Sequence, residues 1–199
     1  DSEVKASLSG DAKKEKTIEA DGISVKADNV YNGSAKDEAS DSTAKTVAVG
    51  FAAGASKFAG SGSVTVNVIS QKADASIGKG NYQAGNQGVD VEAKNTARLF
   101  GLAGGLGINL GGTGIGAAAD VQTYKGHTYA SIEDGAKLSK ASSVRVNAES
   151  EEDLTSVAAT IATGDTFAGA GAAGLHVIST DTKAYIGNQE DKDVTDAGK

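Results

Sequence analysis

From Val47 to Ile77 the chain reads VAVGFAAGASKFAGSGSVTVNVISQKADASI, an alternating small and apolar run, a break, a second alternating run and a closing Ala-x-Ile. Alternation with a period of two predicts β-strands. The pattern returns twice: adding 55 to Val47 and Phe51 leads to Leu102 and Leu106, and adding 55 again leads to Val157 and Ile161. Two further markers give the same interval. Ala-x-Ile/Leu ends at Leu8, Ile77, Ile132 and Ile186, in steps of 69, 55 and 54, and a Val-x-Ala pair begins at Val25, Val91 and Val146, in steps of 66 and 55. A unit that keeps its side-chain parity over such an interval is expected to stack on its own copies, because one repeat cannot bury its apolar positions alone.

Four strands per unit follow from the alternation. The first long strand is expected at residues 46–55, 101–110 and 156–165. Its large face carries Val47, Leu102 and Val157, then Phe51, Leu106 and Ile161. Its opposite face is small rather than polar: Ala48, Ala103 and Ala158, then Ala52, Gly107 and Ala162. A strand with one solvated face should show polar residues there. Both faces are therefore expected to be covered, and these six small residues form a candidate packing or association face, against another layer of the same coil or a partner chain. The second long strand is assigned an inner set of Val64, Val66 and Val68, matched by Ala119, Val121 and Thr123 and by Ala173, Leu175 and Val177. Asn67, Gln122 and His176 are assigned to its outer side. Ala-x-Ile is the third strand and the Val-x-Val-type stretch (Val89 to Ala93, Val144 to Ala148) is the fourth.

The expected organisation is one all-β segment, residues 1–199, built as a parallel β-solenoid of about three repeats. Repeats are drawn at 46–100 and 101–155, with a partial one at 156–199. Residues 1–45 hold the end of a preceding repeat and a polar insertion at 29–45, read as an exposed loop. Both ends fall inside a repeat, which reads as a segment cut from a longer protein.

Composition changes the picture mainly by exclusion. Gly is 27 of 199 residues, Pro, Cys, Met and Trp are absent, and a hydrophobic content of 39% supports a long, thin core. The net charge of −7, with 19 basic residues scattered among 26 acidic ones, argues against a nucleic-acid partner. No apolar run approaches the roughly 18 residues of a span, so no membrane insertion is expected of this segment. Without Cys there is neither a disulfide nor a thiolate metal site. His127 and His176 are the only imidazoles, both read as surface residues, and no nucleophile-elbow, zinc or phosphate-loop motif is present. An enzyme, a cofactor and a metal site are not expected. The carboxylates at Glu149, Glu151, Glu152 and Asp153, and at Asp191, Asp193 and Asp196, read as solvated turns rather than a calcium site.

The runs GSGSVTVNVI, GTGIGAAADV and GAGAAGLHVI, each followed by A-S-I or A-Y-I and the first two then by V-x-V, resemble the repeats of very large bacterial adhesins. The likeness is to filamentous haemagglutinin-like and leukotoxin-like proteins secreted by the two-partner or autotransporter routes, and it covers Val4 to Ile186. It implies a right-handed parallel β-helix exposed on a Gram-negative cell surface or secreted. The implied role is a non-enzymatic stalk that displays loops to receptors on host or bacterial cells. The alternative is a self-assembling filament subunit held by Ala/Gly-rich faces or by coil edges. The repeat motif is structural, so no functional residue carries over.

Overall fold

The computed structural model of the chain describes residues 1–10, 16–31 and 44–187. They form strands and turns: β1 Ser2–Leu8, β2 Thr17–Tyr31, β3 Ala44–Gly54, β4 Phe58–Ile77, β5 Gly80–Asn109, β6 Thr113–Ile132, β7 Ala136–Ser139, β8 Val144–Thr163 and β9 Phe167–Ile186. The fold is all-β. Two sheets result, and every strand pairing in them is parallel. One sheet runs β1-β4-β6-β9; in the other, β5 pairs with β2 and β3 on one side and with β7 and β8 on the other.

The intervals read from the sequence recur as pairing intervals. Val47 lies beside Leu102, and Leu102 beside Val157. Likewise Phe58 pairs with Thr113, and Thr113 with Phe167. The longer first step is kept, with Leu8 beside Ile77 and Val25 beside Val91. Most of the polar insertion expected at 29–45, residues 32–43, lies outside the described residues, as do Asp191, Asp193 and Asp196.

Where four strands per unit were expected, the chain makes longer ones. The second long strand and Ala-x-Ile fuse into the 20-residue β4, with β6 and β9 as its equivalents. Val-x-Val and the next long strand fuse in β8, and in β5 they continue from an extra stretch that begins at Gly80. Gly88 bends β5 with a φ of 72°, a left-handed conformation, and a side chain there would run into Ser143.

The two sheets face each other, and their interior changes character along the strands. One half holds the apolar core, in which Ile23, Val25, Ala73, Ala75, Ile77, Tyr82, Val89, Val91, Ala93, Ala130 and Ile132 are all buried. Tyr82 closes its end by donating to the Gly78 carbonyl at 2.9 Å and accepting from the Gly10 amide at 2.9 Å. A polar seam follows: the Asn95 amide donates to the His127 carbonyl at 2.8 Å, and the Gln71 amide to the Asn29 carbonyl at 3.1 Å. Beyond the seam the sheets close on one another in strand–turn–strand arches, which turn at residues 55–57, 110–112 and 164–166.

Candidate functional site: the apolar arch

Unbroken strands fix which side chains point inward. Ile77 is buried, and stepping back by two along β4 gives Ala75, Ala73, Gln71, Ile69, Asn67, Thr65 and Ser63, so these all face the interior. The residues assigned above to the inner set therefore lie outside: Val64, Val66 and Val68 are 65%, 61% and 67% exposed. Asn67, Gln122 and His176, assigned to the outer side, stand in the inward row, where Gln122 is buried. The same stepping in β5 carries the inward parity of Val89, Val91 and Ala93 through Ala97 and Leu99 to Ala103. Leu102 and Leu106 consequently face out, and so do Val47, Phe51, Val157 and Ile161 in the flanking repeats.

The reversal has a steric cause. A Cβ on Gly105 would lie 2.9 Å from the Ala117 carbonyl oxygen, and one on Gly50 or Gly107 would strike the backbone of Gly62 or Ile115. The sheets of the arch thus meet nearly backbone to backbone, and nothing bulkier than Ala, Ser or Thr fits between them there. All six residues of the predicted small face point into this seam. Ala103 and Gly107 are buried in the central repeat, while Ala48, Ala52, Ala158 and Ala162 are half-buried in the outer two. The layer they pack against is the other strand of their own repeat.

The bulky side chains displaced from the seam cover the outside of the arch on both faces. On the β3-β5-β8 face the outward rows read Val47, Leu102, Val157, then Val49, Gly104, Ala159, then Phe51, Leu106, Ile161. On the β4-β6-β9 face they read Gly60, Ile115, Gly169, then Gly62, Ala117, Gly171, then Val64, Ala119, Ala173, then Val66, Val121, Leu175. No charged residue occupies any of these rows. The chain matches no family model, no curated protein and no solved structure. Ion pairs among the described residues lie on the outer wall of the other half and the seam, such as Lys26 with Glu92 at 2.7 Å and Lys94 with Glu149 at 3.0 Å. An outer wall divided into a charged half and a bare apolar half is the most pronounced chemical asymmetry of the molecule. Isolated exposed apolar residues are ordinary, but contiguous rows of them mark an interaction surface.

At the base of the arch the inward row becomes polar. Asp120 is fully buried and accepts hydrogen bonds from the hydroxyls of Thr65 and Ser156 and, at 2.9 Å, from the Gln122 amide. Burial alone would push its carboxyl upward; the three donors outweigh that and hold it below the usual aspartate range. Gly101 makes room for it, since a side chain there would occupy the carboxylate's place. His176 Nε2 lies 2.8 Å from Ser156 Oγ, which brings Asp, Ser and His into one chain. The order is wrong for a nucleophile relay. There the imidazole takes the serine proton and the carboxylate holds the imidazole, whereas here the serine hydroxyl donates its hydrogen bond to the carboxylate and the imidazole donates to the serine. The cluster is a ladder of polar partners across the repeats, buried at Thr65, Asp120 and Gln122 and open to solvent at His176. Asp120 and Gln122 belong to β6, Thr65 to β4, Ser156 to β8 and His176 to β9.

His127 is exposed and packs edge-on against Tyr129, at 6.1 Å between ring centroids. The Tyr129 hydroxyl donates to Asp181, and that bond, with burial, pushes its pKa up to about 12. Tyr129 borders a shallow hollow of about 130 Å³ with Lys5, Asp74, Glu133 and Tyr185. Among the described residues no group of three or more His, Asp or Glu is placed to hold a metal ion.

Sequence reasoning missed the outward apolar rows, although the signal was present. Counting by two from the Ala-x-Ile marker, with the second and third strands read as one, gives the observed parity directly.

Proposed function

We propose that this chain is a structural, non-enzymatic segment of an extracellular bacterial adhesin or surface fibre, a right-handed parallel β-solenoid that works as a rigid stalk and displays loops for cell contact. The observation that carries the reading is the register. Strands of 20 residues in both sheets pair with their equivalents 55 or 54 positions away, so each repeat rests on its neighbour along its whole length. Length is added by adding repeats, and stiffness comes from ladders in which each backbone group binds the next copy. The turns at 55–57, 110–112 and 164–166 vary from Ala-Ser-Lys to Leu-Gly-Gly to Gly-Asp-Thr without shifting the register by more than one residue.

Single-molecule pulling on the chain tethered at its two ends tests the stalk. Repeats should leave one at a time, each releasing 55 or so residues, or about 190 Å of extended chain. Release of the whole chain in one weak event would overturn it. Location is tested by an antibody against the chain, which should label intact source cells; labelling only after lysis would sink the extracellular reading.

A further inference from the structure

We propose that the bare faces of the arch are a self-association surface, on which the bulky face of one copy seats in the small-residue trough on the opposite face of a second copy. The two faces differ in relief. The β3-β5-β8 face projects Phe51, Leu106 and Ile161 as a row of knobs. The β4-β6-β9 face carries a trough along the row Gly62, Ala117 and Gly171, with Ala119 and Ala173 beside it, between Ile115 on one side and Val64, Val66, Val121 and Leu175 on the other. Inside the arch Gly50 and Gly105 lie against Gly62 and Ala117, so knobs and trough sit back to back at one level along the strands. A second copy displaced perpendicular to the sheets, with no turn, therefore brings knobs over trough.

Three observations favour a second copy as the occupant. The first is spacing. Parallel strands repeat at about 4.8 Å across a sheet, and side chains on one face at about 6.6 Å along a strand. Two faces of this chain are therefore commensurate in both directions, the condition for dry interdigitation between paired sheets. The second is charge: the molecule carries a net −7, yet none of it stands in the outward rows of either face. The third is area. A face of three repeats and roughly ten residues along the strand covers about 500 Å², so one contact buries about 1,000 Å² in total, the lower limit for a specific interface. A copy in the middle of a stack uses both faces and buries about twice that. Because the contact joins unlike faces it does not close on itself, and it builds a lateral array.

A lipid bilayer is the competing occupant, and the strand edges count against it. Among the described residues, β4 from Phe58 to Ser70 and the whole of β3 have a partner on one side only. Immersed in hydrocarbon, their free N–H and C=O groups would go unpaired.

The inference goes beyond the stalk reading and does not depend on it, since a stalk that stays monomeric is still a stalk. The full chain is followed by sedimentation velocity over about two decades of concentration, at low and high salt. Reversible growth beyond the dimer is expected, strengthened by salt, which screens the repulsion between negative molecules. Leu106→Asp, on the knobs, and Gly171→Leu, in the trough where a side chain meets open space, should each weaken association at least tenfold while circular dichroism and the unfolding midpoint stay near the parent's. A chain that remains monomeric throughout overturns the proposal. So does loss of association with Leu106→Asp but not with Gly171→Leu, which would mean that like faces pair. Binding to neutral phosphatidylcholine vesicles by a chain that is monomeric without them would assign the faces to lipid instead.

Discussion

Asp120 shows how a single buried charge is tolerated in this chain. An isolated carboxylate inside a protein would be protonated, but three donors on two flanking repeats and its own strand surround this one. Its folded pKa lies below the ordinary value of about 3.9, so its ionised form contributes stability above that pH. The contribution is lost as the pH falls through the folded value. Urea titrations of the parent and of Asp120→Asn between about pH 3 and pH 7 should show the parent losing its advantage over the variant on the acid side. A constant difference over the whole range would show that Asp120 does not titrate with folding. Little of this was legible in the sequence. Thr65, Asp120 and Ser156 are far apart in the chain, and only the pairing of three repeats brings them together.

The long strands decide which residue faces which way, because a strand without a bulge cannot change parity. Read as four short strands, each segment is free to choose its own inner face, and the bulkier set of the second long strand goes inside because apolar burial drives folding. Fusion into 20-residue strands removes that choice. Once Ile77 and Val91 are inside, Asn67 and Ala103 are inside too. Adjacent substitutions test this. Ala103→Glu puts a carboxylate at a position with 0% exposure and should abolish cooperative thermal unfolding. Gly104→Glu faces outward, where a side chain meets only ordinary van der Waals contact with Val49 and the Ala159 carbonyl, and should stay within about 1 kcal/mol of the parent. Equal tolerance of both would refute the parity.

At the scale of the molecule, the outer wall is charged over one half and apolar over the other, and net charge opposes contact between apolar halves. The sequence pI is about 4.8, so lowering the pH toward it removes that opposition. Light scattering should rise steeply between about pH 6 and pH 5 and fall again when the pH is returned to 7, with the circular dichroism unchanged. Scattering that stays flat as the charge is neutralised would show that repulsion does not limit the association of the apolar faces.

The sequence by itself determined the repeat interval, the parallel pairing of equivalent positions, the place of the longer first step and the all-β class, because each follows from local alternation recurring at a fixed distance. It also singled out the six small residues from Ala48 to Ala162 as one set. Only the tertiary structure decided which side of each strand is the inside. That choice depends on how closely two sheets can approach, and Gly50, Gly105 and Gly107 meeting carbonyls of the opposite strand set the limit. With the small residues committed to that contact, Phe51, Leu106 and Ile161 have nowhere to point but outward, where a second copy can meet them.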